Sequence, residues 1–182
     1  MTRLKKILLL IDFSKAFDTV SHSRLLQKLK YYFGFSKYSS DLIRSYLRLR
    51  TQAVINNKNT SYLKQICSGV PQGSILGPIF FSMFINDVVC CCKFSKIHLY
   101  ADDVQIYFSN PSAELKDLVT FLNSDLSRIS VWSEGNCLKI NNANTKSMSI
   151  SHHQIETAPK LILKDSVISF VSRICVSSNL LA

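Results

Sequence analysis

The chain has 182 residues, 47% of them apolar, which suits one domain with a real core or a piece of a larger protein. Its 22 Lys and Arg outweigh 12 Asp and Glu, for a formal charge of +10, and a surplus of that size favours a polyanionic partner such as nucleic acid or a membrane surface. The basic residues are scattered rather than blocked into a tail, which fits a folded basic surface better than a disordered arm.

The elements follow in chain order. The start, MTRLKKILLLIDF, imitates a secretory signal, but its apolar run is too short for a secretory core before Asp12 interrupts it. ILLLI at 7–11 instead predicts a short strand buried on both faces. Leu25, Leu26, Leu29 and Tyr32 recur at helical spacing and predict a helix over 21–32, with Ser21 as its N-cap. A second helix is expected over 36–49, then a hairpin in which QAVIN and SYLKQIC flank 57–60. Residues 74–91 predict a long buried helix, with Pro78 in its first turn where proline is tolerated; Pro78, Asn86 and Asp87 argue against a membrane span. KIHLY and VQIYF both alternate with period two around a short break, which predicts a hairpin. An amphipathic helix over 112–132 carries Leu115, Leu118, Val119, Leu122, Leu126 and Ile129 on one side. Short strands are expected near Leu138 and over 148–151, 161–163 and 167–171. Strands packed with helices in this order predict an α+β architecture. The six cysteines (67, 90, 91, 92, 137 and 175) show neither CxxC nor zinc spacing, and read as reduced, mostly buried thiols of an intracellular protein.

Three stretches carry candidate chemistry. In LYADDV, Asp102 and Asp103 stand side by side at the tip of the expected hairpin. Adjacent acids suit a tight turn; two anions held together also suit a hard divalent cation, which takes one or two carboxylates plus substrate phosphates. Asp12, at the end of ILLLI, is either a helix cap or a working acid displayed at the rim of the sheet. In DFSKAFD, residues 14–18 form a compact turn whose N–H groups could face a phosphate, and Phe17 is either core or a ring beside the acid. SGVPQGSILGP, 68–78, has glycines that permit close approach to a ligand and sets Gln72 just before a helix N-terminus. Taken singly, each stretch also has a plain structural reading.

In this order, DFSKAFD, GVPQGSILGP and YADD resemble motifs A, B and C of a reverse transcriptase. The longer words DFSKAFDTVSHSRLLQKL, GVPQGSILGPIFFSMFINDV and LYADDVQIY are similar to the non-long-terminal-repeat retrotransposons, jockey-like mobile elements in particular. WSEGNCLKINNANTKSM resembles their motif D region. The resemblance implies a right-hand polymerase palm, a small antiparallel sheet backed by helices. It implies RNA-directed DNA polymerase activity, a nucleotidyl transfer onto a primer 3′-hydroxyl with two Mg²⁺ ions (or Mn²⁺) bridged by Asp12 and Asp102, whose carboxylates are expected to face each other across neighbouring strands, and with Asp103 as the third acid. By the same resemblance Phe13, Ala16, Phe17, Gln72 and Gly73 line the nucleotide pocket, Phe17 being the ring that rejects a 2′-hydroxyl. Tyr100 and Ala101 lie at the primer end. The implied partners are an RNA template, a DNA primer and deoxynucleoside triphosphates, without a membrane, in the nucleus or cytoplasm of a cell rather than outside it.

The match departs from the family in places. Residues 1–182 are expected to be a partial domain, palm with part of the fingers, lacking the upstream fingers, the thumb and the endonuclease of the parent polyprotein. Asn144-Thr145 stands where motif D usually has Lys-Thr, with Lys146 one step later, and Ile174-Cys175-Val176 replaces a Leu-Gly-Val turn. Two other readings remain: another two-metal phosphoryl-transfer palm such as a nucleotidyl cyclase, which has no use for GVPQGS, and a truncated remnant that only binds nucleic acid.

Overall fold

The computed structural model describes residues 5–57, 59–109, 114–151, 159–164 and 166–175. The elements run β1 (Lys5–Ile11), α1 (Ala16–Thr19), α2 (His22–Tyr31), α3 (Lys37–Leu47), β2 (Thr51–Gln52), β3 (Ile55–Asn56), β4 (Asn59–Thr60), β5 (Lys64–Gln65) and α4 (Leu76–Ile85). A 3₁₀ helix (Asn86–Cys91) leads to β6 (Lys96–Tyr100), β7 (Asp103–Ser109), α5 (Leu115–Gly135), β8 (Lys146–Ser151), β9 (Ile162–Leu163), β10 (Ser166–Val167) and β11 (Ser169–Cys175). They fall into two compact units, Met1–Ser14 with Asp87–Ala182, and Lys15–Asn86.

The first unit is built on a five-stranded sheet in the order β11-β8-β1-β7-β6. All neighbours are antiparallel except β11 and β8, which run parallel. The apolar run 7–11 therefore becomes the central strand. Ile7, Leu9 and Ile11 are buried, whereas Leu8 and Leu10 are only half-buried, so one face of this strand is sealed rather than both. Side chains alternate along a strand, and the odd-numbered set joins Val104 and Ile106 of β7 in the core. The apolar stripe of α5 supplies Leu118, Leu122, Leu126 and Ile129 to the same core.

α5 begins at Leu115 and runs to Gly135, three residues further than its apolar spacing suggested; positions 112 and 113 lie outside the described residues. No strand forms near Leu138, only a single antiparallel bridge between Ile140 and Phe13. The expected strand over 167–171 is divided between β10 and β11.

In the second unit, Ser21 caps α2 as expected, and Ser36 caps α3 as well, each accepting the backbone N–H of the residue three positions on. The hairpin is present, with Ile55–Asn56 paired to Asn59–Thr60 and Thr51–Gln52 to Lys64–Gln65. The long helix expected over 74–91 is divided. α4 ends at Ile85, and Asn86–Cys91 tightens into a 3₁₀ turn. Asn and Asp side chains compete for backbone hydrogen bonds and favour helix ends, which places the break at Asn86-Asp87.

The cysteines are a further correction: Cys67, Cys90 and Cys137 are exposed rather than buried. No helix among the described residues is long and apolar enough to cross a membrane.

Candidate active site

Asp12 is the first residue past β1, whose last pair with β7 is Ile11 opposite Val104. One step beyond that pair lie Asp12 and Asp103. Opposed residues of an antiparallel pair share a face, and both acids line one open hollow of about 360 Å³ together with Gln105, Asn144 and Lys146. The β6–β7 hairpin closes through the pair Tyr100–Asp103, leaving Ala101 and Asp102 as its two-residue tip. Ala101 adopts a left-handed φ of 51° to make that turn. Tyr100 and Ala101 are exposed and Asp102 is half-buried; Asp102 is not among the residues lining the hollow.

The Asp12 carboxylate is held by the turn over 141–145, in the stretch that resembles motif D, a contact the sequence did not announce. Asn141 Nδ2 donates to its Oδ2 at 2.8 Å and Asn144 Nδ2 donates to the same oxygen at 3.0 Å. Lys146 Nζ donates to the carbonyl of Ala143 at 2.7 Å. Phe13 is buried, with its ring 6.4 Å from that of Trp132.

Two carboxylates one strand apart are hard oxygen donors of the kind Mg²⁺ and Mn²⁺ take. Among the described residues no three His, Cys, Asp or Glu side chains gather as a ligand group. The donor set therefore fits a cation that completes its shell with water or phosphate oxygens, the usual habit of Mg²⁺.

The remaining candidates lie in the second unit. Phe17 is stacked on Phe81, with ring centroids 4.3 Å apart and planes 20° apart, and remains half-buried. Gln72 Nε2 donates to Asp18 Oδ1 at 2.8 Å, so the second acid of DFSKAFD anchors the glutamine of GVPQGS. The loop and the turn are joined through backbone as well, by Gly69 N to Val20 O at 2.8 Å and Val70 N to Phe17 O at 2.9 Å. Gly69 has φ +89°, and a Cβ there would sit 2.7 Å from the Asp18 carbonyl oxygen. At Gly77 a Cβ would lie 2.5 Å from the Pro71 carbonyl oxygen, which explains why these two glycines bracket the loop. Gln72 and Gly73 are exposed, and Gly73 has φ +77°. A basin of about 610 Å³ opens beside the loop, lined by the cationic Lys15, Arg50 and Lys64 together with His22, Asp18 and Gln72.

Residues 1–167 match the reverse transcriptase (RNA-dependent DNA polymerase) family. The chain belongs to the reverse transcriptase family. Among the relatives of this reverse transcriptase chain is a probable RNA-directed DNA polymerase from transposon BS of Drosophila melanogaster, 30% identical over 142 residues, covering 74% of this chain and 15% of that protein. Another is the RNA-directed DNA polymerase from mobile element jockey of the same organism, 31% identical over 138 residues, covering 72% of this chain and 15% of that protein. The chain thus spans about 15% of the length of these relatives.

Among solved structures, a truncated apo telomerase from Candida tropicalis superposes with a TM-score of 0.62 at 17% identity, over 84% of this chain and 32% of that one. The same organism's telomerase in complex with a fragment of telomeric RNA gives 0.63 at 15% identity, over 91% and 30%. At such identities the likeness concerns the fold, which is that of a polymerase palm.

Proposed function

We propose that residues 1–182 form the palm, with part of the fingers, of an RNA-directed DNA polymerase from a jockey-like mobile element. The observation that carries this is the placement of Asp12 and Asp103 in one hollow, one step beyond a register pair of adjacent strands. Asp12 and Asp103 hold divalent metal there, and Asp102 at the hairpin tip completes the acidic set. A pair of Mg²⁺ ions held there would supply activation of an attacking 3′-hydroxyl and neutralisation of charge on the leaving phosphate oxygen.

The chain's own residues do the positioning, which is most of phosphoryl-transfer catalysis. Phe17, fixed by its stack on Phe81, sets the floor for the sugar. Gln72, tied to Asp18, and Gly73 border the incoming nucleotide with Ala16, and Phe13 backs the strand end that carries Asp12. Tyr100 and Ala101, exposed at the hairpin tip, meet the primer end. The cationic basin of the second unit, with the +10 surplus of the chain, favours a nucleic-acid backbone. Its partners are then an RNA template, a DNA primer, deoxynucleoside triphosphates and the remaining parts of a longer polyprotein, inside the cell in the nucleus or cytoplasm.

The test has two arms. The 182-residue chain should bind a primed RNA template with an affinity that falls steeply as salt rises, because phosphate contacts release counterions. Grafted in place of the matching segment of the jockey polymerase, it should support Mg²⁺-dependent primer extension that Asp12→Asn and Asp103→Asn each abolish. Extension that survives both substitutions refutes the proposal.

A further inference from the structure

The turn over 141–145 is built around Asp12. The β1 ladder ends with Leu10 opposite Lys146 on one side and Ile11 opposite Val104 on the other. Past that point the backbone changes partner: Asn141 N donates to Asp12 O at 2.8 Å and Ser14 N to Lys139 O at 2.8 Å, flanking the Phe13–Ile140 bridge. The turn that makes this switch is closed on itself, since Thr145 N and Thr145 Oγ1 both donate to Asn141 O at 2.9 Å. Thr145 is fully buried, and its Oγ1 also accepts the Asp12 N–H at 3.4 Å.

The product of this arrangement is two side-chain amides on one carboxylate oxygen. Oδ2 accepts from Asn141 and Asn144, while no hydrogen bond among the described residues reaches Oδ1. The terminal torsion of an aspartate is broad, so an acid just past a strand end would otherwise rotate freely. Neutral amides orient it without adding a positive charge that would compete with a cation. The nearby ammonium of Lys146 is turned to the Ala143 carbonyl instead.

From this we infer that Asn141 and Asn144 are positioning residues: a neutral clamp that fixes Asp12 through Oδ2 and presents Oδ1 to a divalent cation in the hollow shared with Asp103. The inference rests on the metal-binding reading of Asp12. Hydrogen-bond partners behind a ligand typically contribute 10–100-fold in metal affinity.

The probe is Mn²⁺, titrated into the 182-residue chain and followed by electron paramagnetic resonance, with urea unfolding measured in parallel. Asp12→Ala should remove the site. Asn144→Ala should weaken Mn²⁺ binding about tenfold, and Asn141→Ala with Asn144→Ala should weaken it further. Asn144→Gln, which keeps the amide, should bind closer to the unsubstituted chain than Asn144→Ala does. The Asn144 side chain is exposed and its own N–H bond to Asn141 O is backbone, so Asn144→Ala keeps its fold and decides the matter alone if the double variant unfolds. Unchanged Asp12-dependent affinity in folded Asn144→Ala overturns the clamp and leaves the metal site standing. Mn²⁺ binding that does not depend on Asp12 in the unsubstituted chain overturns the site and the clamp together.

Discussion

Replacing Asp125 by Asn should unlatch the strand that leads into the acidic hairpin. Asp125 is fully buried on α5. Its carboxylate accepts the backbone N–H groups of Lys93, Phe94 and Ser95 at 3.0, 3.2 and 2.9 Å, and also the Ser95 hydroxyl. It pairs with Arg128 as well, whose Nε donates to Cys91 O at 2.8 Å. The three N–H groups are those immediately before β6, so one side chain fixes where the hairpin begins. Burial by itself would raise the Asp125 pKa, but the Ser95 hydroxyl and the N–H groups of Lys93, Ser95 and Phe94 outweigh it and hold the carboxyl below its usual 3.8. Asn keeps the shape, removes the charge and turns an N–H₂ group toward donors that need an acceptor. Breaking a buried pair by removing one partner costs about 3–5 kcal/mol. At about 2–4 °C per kcal/mol for a chain of this size, the melting temperature should fall by roughly 6–20 °C. Because the folded-state pKa lies below the unfolded one, the stabilisation is fully present above about pH 4 and is lost as pH falls through the folded value. The assay is urea unfolding followed by the fluorescence of Trp132, on the same helix, at neutral pH and at a series of acidic values. A stability difference between the unsubstituted chain and the Asp125→Asn variant that is absent at pH 7, or that stays constant into strong acid, refutes the reasoning.

Two further expectations concern the glycine loop and the thiols. Gly69→Ala should destabilise the chain by at least about 1–3 kcal/mol, the usual scale of a strained backbone conformation, because its Cβ would also stand 2.7 Å from the Asp18 carbonyl oxygen; an unchanged urea midpoint would show that the turn yields. Cys92 is pushed up to about 12 by burial first and then by Asp125 and Cys91, against a lowering by Arg128, so iodoacetamide at pH 8 should label Cys67, Cys90 and Cys137 well before it. Mass spectrometry showing Cys92 labelled as fast as those three would contradict that shift.

Much of this protein was legible in order and spacing. The cap at Ser21, the alternation on either side of Asp102 and Asp103, and the helical stripe from Leu115 to Ile129 are local signals, each carried by nearby residues, and the elements formed where they point. Asp125 was missed although it bore a signal, an acid between Leu122 and Leu126 on the apolar face of its helix. What the sequence could not decide were the partners of these elements. The register that sets Asp103 across from Asp12, the turn that lays Asn141 and Asn144 on one carboxylate oxygen, and the bond from Gln72 to Asp18 join residues 54 to 132 positions apart. Such pairings depend on which strand lies beside which, and that choice is made by the burial of whole faces rather than by any short stretch of chain. Even Gly69 and Gly77 of GVPQGSILGP announced only that something approaches closely. That Asp18 is what approaches Gly69 was settled when the turn over 14–18 and the loop before α4 were brought together, whereas Gly77 meets Pro71 of its own loop.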